Sequence, residues 1–479
     1  MAIAQAFEDE DVHNRWAERE FASLDPGDVR LKRRIIQVAQ AFAAAPQANI
    51  PQACSNWAET KAAYRCMSNP KISDTLILDA HRQAVIERLK TQTVVLVPQD
   101  TTFLNFTTHP HTSGLGPIGN NRDKTIGLLM HSALALDEGG QPLGILHADV
   151  SARDPAKFKK KKNSQNRQPI EIKESYKWLV AYQSTCEAAR QTGPQTTFVS
   201  IADREGDIYE LFLEAFLQKN AAHLIVRAKH PRSILQSEDE TLWNWLPGQP
   251  AAPQMLSIEV PRQPGDAART ALLSIRFEAV TIRVPMDRAK YQKHTQNLEL
   301  WAVEAREEYP PEGVEPVCWR LLTTLPVRTL KEALQVVRWY AQRWQIEVFH
   351  KVLKSGCNAE ERQLETAERL RCTLALDIVV AWRIFALCFL GRKTPGCPAD
   401  VIFSGPEWKA LYCYIHKSTE LPEQTPTLGE AIGWVSRLGG FLARKSDGNP
   451  GPVVLWRGMT RLTDITATWL LFNPLKSYG

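Results

Sequence analysis

The chain has 479 residues, which predicts two to four structural units rather than one core. Its 44% hydrophobic and 23% charged residues are typical of a soluble globular protein, and its net charge of +5 permits a nucleic-acid partner without requiring one. Nine scattered cysteines without a CxxC pair predict reduced thiols rather than a zinc site or a disulfide framework. The apolar stretch 374–390 contains Asp377 and Arg383, so we expect a buried helix and not a membrane span.

The first 75 residues have helical patterning with clustered basic side chains. Asp28 is a candidate N-cap for a helix that carries several of them, and a second cluster follows before Pro70 closes the unit. The start MAIAQAFEDED is acidic, which does not match a signal peptide, and we expect a cytoplasmic protein. The basic residues of these two clusters include Arg30, Arg33, Arg34, Lys61 and Arg65.

The pattern then changes to alternating strands and helices. TVVLVPQD (93–100) is a β-branched run, and a hairpin is predicted for 128–137 and 141–150 across the turn EGG. A helix (171–190), a strand (197–203), a helix (207–217) and a strand (223–229) follow. This β-β-β-α-β-α-β order predicts an α/β fold with a ribonuclease-H-like (retroviral-integrase-like) core.

The remaining segments complete a three-part organisation. The run KFKKKKNSQNR within 154–167 predicts a loop, either a solvated face or a phosphate contact. Residues 230–325 look like a β-rich insertion, and helical periodicity returns at 330–354 and 361–390. We therefore expect a helical unit over 1–75, a catalytic unit over 76–392 and a mainly helical unit over 393–479.

Two acids stand at the ends of two strand-like runs. Asp100 follows TVVLVPQ and Asp203 follows TFVSIA, and the predicted topology places these strands side by side. Ligands of open α/β sheets bind at the carboxyl ends of the strands. Neighbouring carboxylates repel unless a cation lies between them, and oxygen ligands favour Mg²⁺ or Mn²⁺. Either acid alone is more often a turn former or a helix cap.

A third acid strengthens the metal interpretation. In the predicted helix 330–354, five polar residues fall within an arc of roughly 80° on one face. A solvated face with i,i+4 ion pairing explains the charges but not a Tyr and an Arg on the same stripe. Glu347 completes a three-carboxylate site, and the basic residues hold phosphates beside it. The five residues are Tyr340, Arg343, Glu347, Lys351 and Lys354.

The string YAQRWQIEVFHKVLKSG carries Tyr340-x2-Arg343-x3-Glu347-x6-Lys354. This pattern resembles the Y-R-E-K signature of insertion-sequence family four, the DDE cut-and-paste transposases of bacteria that include the transposon-five transposase. VPQDTTFLNF and SIADREGDIYELF resemble the family's two aspartate segments, with Asp100 and Asp203 in the catalytic places. Asp207 is expected to cap the following helix.

The resemblance extends over nearly the whole chain. VRAKHPR resembles a family strand whose basic residues face the active site, so Arg227 and Lys229 are candidate phosphate contacts. Trp319 occupies the family's position for a tryptophan that stacks on a displaced base, where simple core packing is the other interpretation. DPGDVRLKRR with KAAYR resembles the end-binding domain, and AIGWVSRLGGF with VVLWRGM resembles the dimerisation domain. The first resemblance implies that the N-terminal basic residues contact DNA, namely Arg30, Arg33, Arg34, Lys61 and Arg65.

The family's chemistry implies an enzyme that acts as a homodimer on two transposon ends. It implies Mg²⁺, with Mn²⁺ as a substitute and two ions when DNA is bound. It also implies nicking, a hairpin on the transposon end, and joining of the 3′ ends to target DNA in the bacterial cytoplasm, at the nucleoid. Phosphoryl transfer in one site requires neither a nucleotide cofactor nor a membrane.

Three alternatives stay open. A junction resolvase would lack the signature helix and the insertion. A catalytically inactive transposon-end-binding regulator would not need all three acids. A magnesium phosphohydrolase of small molecules would not need basic helices or the distant Trp319.

Overall fold

Capping side chains mark where the N-terminal helices begin. The computed structural model describes residues 12–54, 56–119, 124–158, 168–218, 221–260, 269–285, 295–444 and 450–473. Asp28 accepts a hydrogen bond from the backbone N–H of Arg30, which confirms it as an N-cap. Most of the basic loop predicted within 154–167 lies outside the described residues. The first helices are α1 (Val12–Glu20), α2 (Val29–Ala44), α3 (Trp57–Met67) and α4 (Asp74–Leu89).

A ten-stranded sheet, counted over the described residues, forms the centre of the molecule. Its longer strands are β1 (Val94–Asn105), β2 (Ile126–Asp137), β3 (Pro142–Ser151), β4 (Thr197–Ala202), β5 (His223–Arg227), β6 (Leu256–Val260), β7 (Arg269–Ile282), β8 (Leu298–Glu307) and β9 (Cys318–Thr323). They lie in the order β3-β2-β1-β4-β5-β9-β8-β7-β6, and a two-residue strand, Gly116–Pro117, also pairs with β2. Neighbouring strands are parallel in the pairs β1–β4 and β4–β5 and antiparallel in every other pair.

The β-rich segment does not form a separate sheet. Its strands extend the central sheet outward from β5, because β9 pairs with β5 and β8, β7 and β6 follow in turn. Sequence patterns detect these strands but not their partners, since pairing over long separations leaves no local signal. The prediction of a β-rich region is confirmed, and its continuity with the core is added by the structure.

The two faces of the sheet bury different helices. Val95 and Val97 belong to the cluster that packs against α5 (Tyr176–Thr192) and α6 (Tyr209–Leu217), whereas Leu96 belongs to the opposite cluster. This alternation follows from the two-residue repeat of a strand. The opposite cluster also contains residues of α7 (Leu330–Ala341), α8 (Trp344–Lys351) and α9 (Ala367–Lys393).

The continuous helix predicted for 330–354 is interrupted. A tight turn at 342–343 separates α7 from α8, with the Arg343 N–H bonded to the Tyr340 carbonyl and the Ile346 N–H to the Arg343 carbonyl. The residues after α8 form a π-helical turn, Val352–Gly356. The predicted arc of side chains therefore rested on an ideal geometry that the chain does not keep, because periodicity alone does not report local changes in helical pitch.

Helix α9 is long and apolar enough to cross a membrane, but 89% of its most apolar stretch is buried inside the protein. This confirms the prediction of a buried helix. Its Asp377 pairs with Arg362, and both side chains are almost fully buried. Three further helices follow: α10 (Gly405–His416), α11 (Leu428–Leu438) and α12 (Pro452–Phe472). Trp456 of α12 packs on Gly356, where an added Cβ would lie 2.2 Å from its ring.

Buried polar contacts attach the N-terminal helices to the sheet region. Glu20 of α1 accepts hydrogen bonds from His81 and Arg88 of α4, and the His81 Nε2 accepts from the backbone N–H of Ile145 in β3. Arg88 and His81 hold the pKa of Glu20 at about 2 despite its burial. The carboxylate therefore stays charged within the structure and joins three elements.

Candidate active site

The sheet brings Asp100 and Asp203 to one edge. Strands β1 and β4 are parallel neighbours, paired from Val94–Thr197 to Pro98–Ile201, and each acid follows two residues later. Asp203 comes directly after β4, as predicted, whereas β1 continues five residues beyond Asp100 because it stays paired with β2. The adjacent-strand arrangement expected from the sequence is thus present.

Helix α8 places Glu347 near Asp100, and the Arg343 side chain contacts both acids. One guanidinium nitrogen of Arg343 lies 3.3 Å from Asp100 Oδ2, and the other donates to Glu347 Oε1. The Arg343 and Asp100 side chains are only 16% and 19% exposed, so solvent screens this contact weakly. An arginine therefore bridges two of the three acids.

Burial sets the charge state of Asp100. It raises the pKa of this carboxyl from 3.8 to about 6, and the carboxylates of Asp203 and Glu347 add to the increase. The Thr101 backbone N–H and the Arg343 guanidinium oppose it. Asp203 is thus close enough to influence Asp100, although one of its oxygens also accepts from the Glu205 N–H at 2.8 Å. Asp203 therefore stabilises the turn after β4 and also belongs to the acidic group.

The donor set suits a divalent cation, although it is not assembled around one. Across the described ranges, no three His, Cys, Asp or Glu side chains stand close enough together to hold an ion. The group nevertheless contains three carboxylates, one of them mostly buried with a raised pKa, which a cation would stabilise. Oxygen-only donors are those of Mg²⁺ and Mn²⁺. Holding such an ion requires the Arg343 side chain to leave the space between Asp100 and Glu347.

Aromatic and basic residues border the acids on one side. The Trp319 ring meets the Tyr340 ring edge-on, with centroids 5.6 Å apart. Burial raises the pKa of the Tyr340 hydroxyl, and the charge of the nearby Arg343 guanidinium opposes this increase. Arg227 lies close enough to lower the same pKa and donates to the Cys318 carbonyl at 3.2 Å. Trp319, Tyr340 and Arg227 therefore cluster with Arg343.

The two lysines predicted on the same helix face as Glu347 lie in different environments. Lys351, the last residue of α8, is exposed. Lys354 lies in the π-helical turn, where burial lowers its pKa and Glu360 opposes the shift. Lys229 is exposed just after β5. Within the part of the chain that the structure describes, these lysines form no hydrogen bond or ion pair with the three acids.

Asp207 does not cap helix α6, contrary to the sequence prediction. Its carboxylate accepts from the backbone N–H groups of Lys229 and His230 and from the Arg232 guanidinium. Its side chain is fully buried in this pair, and Ile208 occupies the capping position. The acid thus fixes the basic loop after β5, a long-range contact that local sequence cannot reveal.

The N-terminal basic residues lie on two helices. Arg30, Arg33 and Arg34 are on α2, where Arg30 is paired with Asp28. Lys61 and Arg65 are exposed on α3, four residues apart. Trp57 begins the same helix, four residues before Lys61, and is 76% exposed. Trp57 was not among the residues predicted from the sequence, although its i, i+4, i+8 spacing with the two cations is a sequence signal for one helix face.

Other residues around the site also escaped the sequence analysis. Trp344 follows Arg343 directly and is 60% exposed. Gln99, His131 and Ser132 are fully buried polar side chains beside Asp100. Trp344 and Gln99 are adjacent in sequence to Arg343 and Asp100, which could have identified them. His131 and Ser132 lie in β2, which is distant from Asp100 in sequence.

Known protein families match the chain in three consecutive parts. A model described as "Transposase DNA-binding" matches residues 13–72, one described as "Transposase DDE domain" matches 165–382, and one described as "Transposase Tn5 dimerisation domain" matches 379–468. The middle model defines the class, a DDE transposase, and spans Asp203 and Glu347 but not Asp100. With its flanking matches, the chain belongs to the Tn5-like DDE transposases.

Among solved structures, the chain is similar to the piggyBac transposase in a synaptic complex with hairpin DNA. The identity is 9% and the TM-score 0.33, with 84% of this chain and 58% of that chain covered. The chain therefore spans little more than half the length of that protein. A similarity at this level carries no argument about fold or mechanism.

Proposed function

We propose that this protein is a metal-dependent endonuclease and polynucleotidyl strand transferase that excises a transposon and joins its 3′ ends to target DNA. The observation that carries the proposal is the contact of Asp100 and Glu347 with the same Arg343 guanidinium, with Asp203 at the end of the neighbouring parallel strand and close enough to raise the pKa of Asp100. We also propose a ribonuclease-H-like core. The order β3-β2-β1-β4-β5, in which β2 alone runs antiparallel to the other four strands, supports it.

Each side chain of the site has a role in this proposal. Asp100, Asp203 and Glu347 hold Mg²⁺ or Mn²⁺, as two ions with DNA in place, and these supply a Lewis acid for in-line phosphoryl transfer. Arg343 leaves the carboxylates and takes a phosphate oxygen pair beside the scissile bond, for which its fork is suited. Lys351 and Lys354 add point charges along the strand, and Arg227 and Lys229 contact the phosphates beyond the aromatic pair.

A hairpin intermediate demands a sharp bend that a displaced base relieves. Trp319 packs against Tyr340 within the basic cluster, and base–aromatic stacking contributes about 1–3 kcal/mol. We propose that Trp319 forms the wall for this base. The freed 3′-hydroxyl attacks the opposite strand, so one site serves nicking, hairpin formation, reopening and joining.

The terminal parts supply DNA recognition and pairing of subunits. We propose that residues 1–75 bind the terminal inverted repeats, that 76–392 form the catalytic unit, and that 393–479 join two copies in the synaptic complex. Exposed Arg33, Lys61 and Arg65 support phosphate contacts, and exposed Trp57 offers apolar contact with base edges. The family matches at 13–72 and 379–468 support this division.

Cleavage of a labelled duplex that carries the element's own terminal repeat tests the proposal. With Mg²⁺ we expect the full-length protein to nick and then to produce a hairpin, seen as a strand of doubled length on a denaturing gel. Glu347→Ala should bind the duplex and leave it intact. Glu361→Ala, which removes an exposed acid from the segment after the π-helical turn, should cut normally.

Two results would favour the alternatives. If wild type and Glu347→Ala both bind and neither cuts with any divalent metal, the chain is an inactive end-binding regulator. If a small phosphate ester is hydrolysed while the duplex is ignored, the site belongs to a phosphohydrolase.

A further inference from the structure

A group of buried polar side chains lies directly behind Asp100. Gln99, His131 and Ser200 are fully buried. They lie on the sheet face that Val95 and Val97 share with the helix α5 cluster. Because side chains alternate along a strand, Asp100 points to the opposite face.

These residues form a directed chain of hydrogen bonds. Gln99 Nε2 donates to Ser200 Oγ at 2.9 Å, and Gln99 Oε1, which only accepts, lies 3.1 Å from His131 Nε2. His131 Nε2 therefore carries the ring proton, and its Nδ1 accepts from the Thr101 hydroxyl at 2.8 Å. The His131 ring also packs edge-on against Trp178, which fixes its orientation.

The chain of bonds crosses three neighbouring strands at the height of the acids. Thr101 and Gln99 flank Asp100 in β1, His131 lies in β2, and Ser200 precedes Asp203 by three residues in β4. The register of a strand decides which side chains face each side of the sheet, and a slip of one residue moves every side chain to the other face. Any slip of β1 against β4 would break the Gln99–Ser200 bond and move the two acids relative to each other.

A second hydrogen bond lies on the face of the sheet that carries Asp100. Ser132 is the residue directly opposite Asp100 in the β1–β2 pairing. Its Oγ lies 2.9 Å from His350 Nε2, and both side chains are buried. His350 follows Glu347 by one helical turn on α8. This hydrogen bond therefore ties the helix that bears Glu347 to the strand beside Asp100.

Stability alone does not require these polar groups. Replacing both partners of a buried hydrogen bond by apolar groups of the same shape is nearly neutral, whereas leaving one unpaired costs about 1–3 kcal/mol. An apolar face, such as Val95 and Val97 continue from the same strand, would serve the core equally. The hydrogen bonds restrict β1, β2 and β4 to one register and helix α8 to one position.

We propose that the Ser200–Gln99–His131–Thr101 chain and the Ser132–His350 pair are positioning residues that set the separation of the three acidic residues. This proposal rests on the proposed function, since it assigns these residues to the metal-binding geometry. They touch neither metal nor DNA and act through Asp100, Asp203 and Glu347. Outer-shell partners of this kind typically contribute about 10- to 100-fold in metal affinity.

The test measures Mn²⁺ binding by electron paramagnetic resonance. The full-length protein is held on a duplex with the terminal repeat, and Asp100→Ala defines the background. Ser132→Ala and His131→Leu should weaken Mn²⁺ binding about 10- to 100-fold. Their cleavage rate constant should fall while KM for DNA stays unchanged. Ser132→Thr, which keeps the hydroxyl, should restore Mn²⁺ affinity.

Tyr182→Phe is the matched control for lost stability. It removes a buried hydrogen bond from the Tyr182 hydroxyl to the Ala222 carbonyl in the same helix layer, away from the acids. It should lower Tm and leave Mn²⁺ affinity at the wild-type value. If His131→Leu does not fold, Ser132→Ala, which removes one oxygen atom, carries the test.

The possible outcomes distinguish a failure of the positioning role from a failure of the proposed function. Wild-type Mn²⁺ affinity in Ser132→Ala and His131→Leu overturns the positioning role and leaves the proposed function intact. Losses that only follow Tm, as in Tyr182→Phe, overturn it equally. If the wild type binds no more Mn²⁺ than Asp100→Ala and does not cut, the proposed function itself fails and this proposal with it.

Discussion

The Arg343 guanidinium contacts Asp100 and Glu347 at once, although the two acids come from a strand and a helix that are 247 residues apart in sequence numbering. The arginine occupies the space that a cation between these carboxylates would take. A metal cation that binds between the carboxylates would replace the positive charge of Arg343 and free the guanidinium to bind a phosphate.

Arg343→Ala should lower Tm without metal, because two partly buried carboxylates lose their cation. Added Mn²⁺ should then raise Tm by more than it does in the wild type, since the ion replaces the missing charge. DNA cleavage should fall because the phosphate contact is lost. Thermal unfolding with and without Mn²⁺ measures the effect, and exposed Arg338 on α7 offers Arg338→Ala as the control. Equal Mn²⁺ shifts in wild type and Arg343→Ala would contradict the exchange.

Asp203→Ala should reduce the stabilisation by divalent metal. If Asp203 is a ligand, Mg²⁺ raises the Tm of the wild type more than that of the variant, because ligand binding stabilises only the state that binds. Replacement of the neighbouring exposed acid, Glu205→Ala, controls for the removal of one negative charge. Equal Tm shifts in wild type and Asp203→Ala would remove Asp203 from the metal site.

Asp100→Asn should change the pH dependence of stability in the metal-free protein. The folded-state pKa of Asp100 is about 6 against 3.8 when unfolded, so the folded state binds the extra proton between these values. The free energy of unfolding therefore falls as pH rises from about 4 to about 6, by up to about 3 kcal/mol. The variant lacks this loss, so its Tm relative to wild type should rise over that interval. A pH-independent difference would refute the raised pKa.

Trp57→Ala should weaken binding to the terminal repeat more than binding to a scrambled duplex. An apolar contact with base edges is sequence-dependent, and about 1–3 kcal/mol of discrimination corresponds to roughly 5- to 150-fold. Lys61→Ala should weaken both duplexes alike and reduce the salt slope by about 1. Fluorescence anisotropy at several salt concentrations measures both. Tyr309→Ala, which removes an aromatic residue that is 86% exposed, should have no effect. Unchanged discrimination in Trp57→Ala would exclude the base contact.

Asp377→Asn should destabilise the protein by about 3–5 kcal/mol, because Arg362 would keep a buried charge without its partner. Arg362 also donates to the Ala48 carbonyl, so the loss should loosen the segment that follows α2. Denaturant unfolding measures the change. The double replacement Arg362→Met with Asp377→Leu should cost less than either single one. A double variant as unstable as the sum of the singles would contradict this account.

Local sequence carried much of the architecture. Runs of β-branched and apolar residues located β1 to β5, Asp28 located the start of α2, and the Leu374–Leu390 run located α9. These features depend on neighbours within a few residues, whose steric and hydrogen-bonding preferences are local. The same reasoning placed Asp203 at the end of β4, where the structure has it.

Two sequence predictions were wrong, for different reasons. The Asp207 carboxylate does not cap α6, because it bonds to residues 22 to 25 positions away, and such a separation leaves no local signal. The helix predicted for 330–354 is interrupted by a tight turn at 342–343, and apolar periodicity does not report a local change of pitch. The pairing of β9 with β5 was not predicted, because the two strands are distant in sequence.

The amino-acid sequence by itself determined the order of elements, the three acids and the Tyr-Arg-Glu-Lys spacing, because these are properties of short segments and fixed residue identities. Only the tertiary structure decided that Arg343 lies between Asp100 and Glu347, that Trp319 meets Tyr340, and that a buried hydrogen-bond chain backs the acids. Burial, charge proximity and pairing across strands arise when distant segments pack together. A linear pattern contains the groups but not the distances between them.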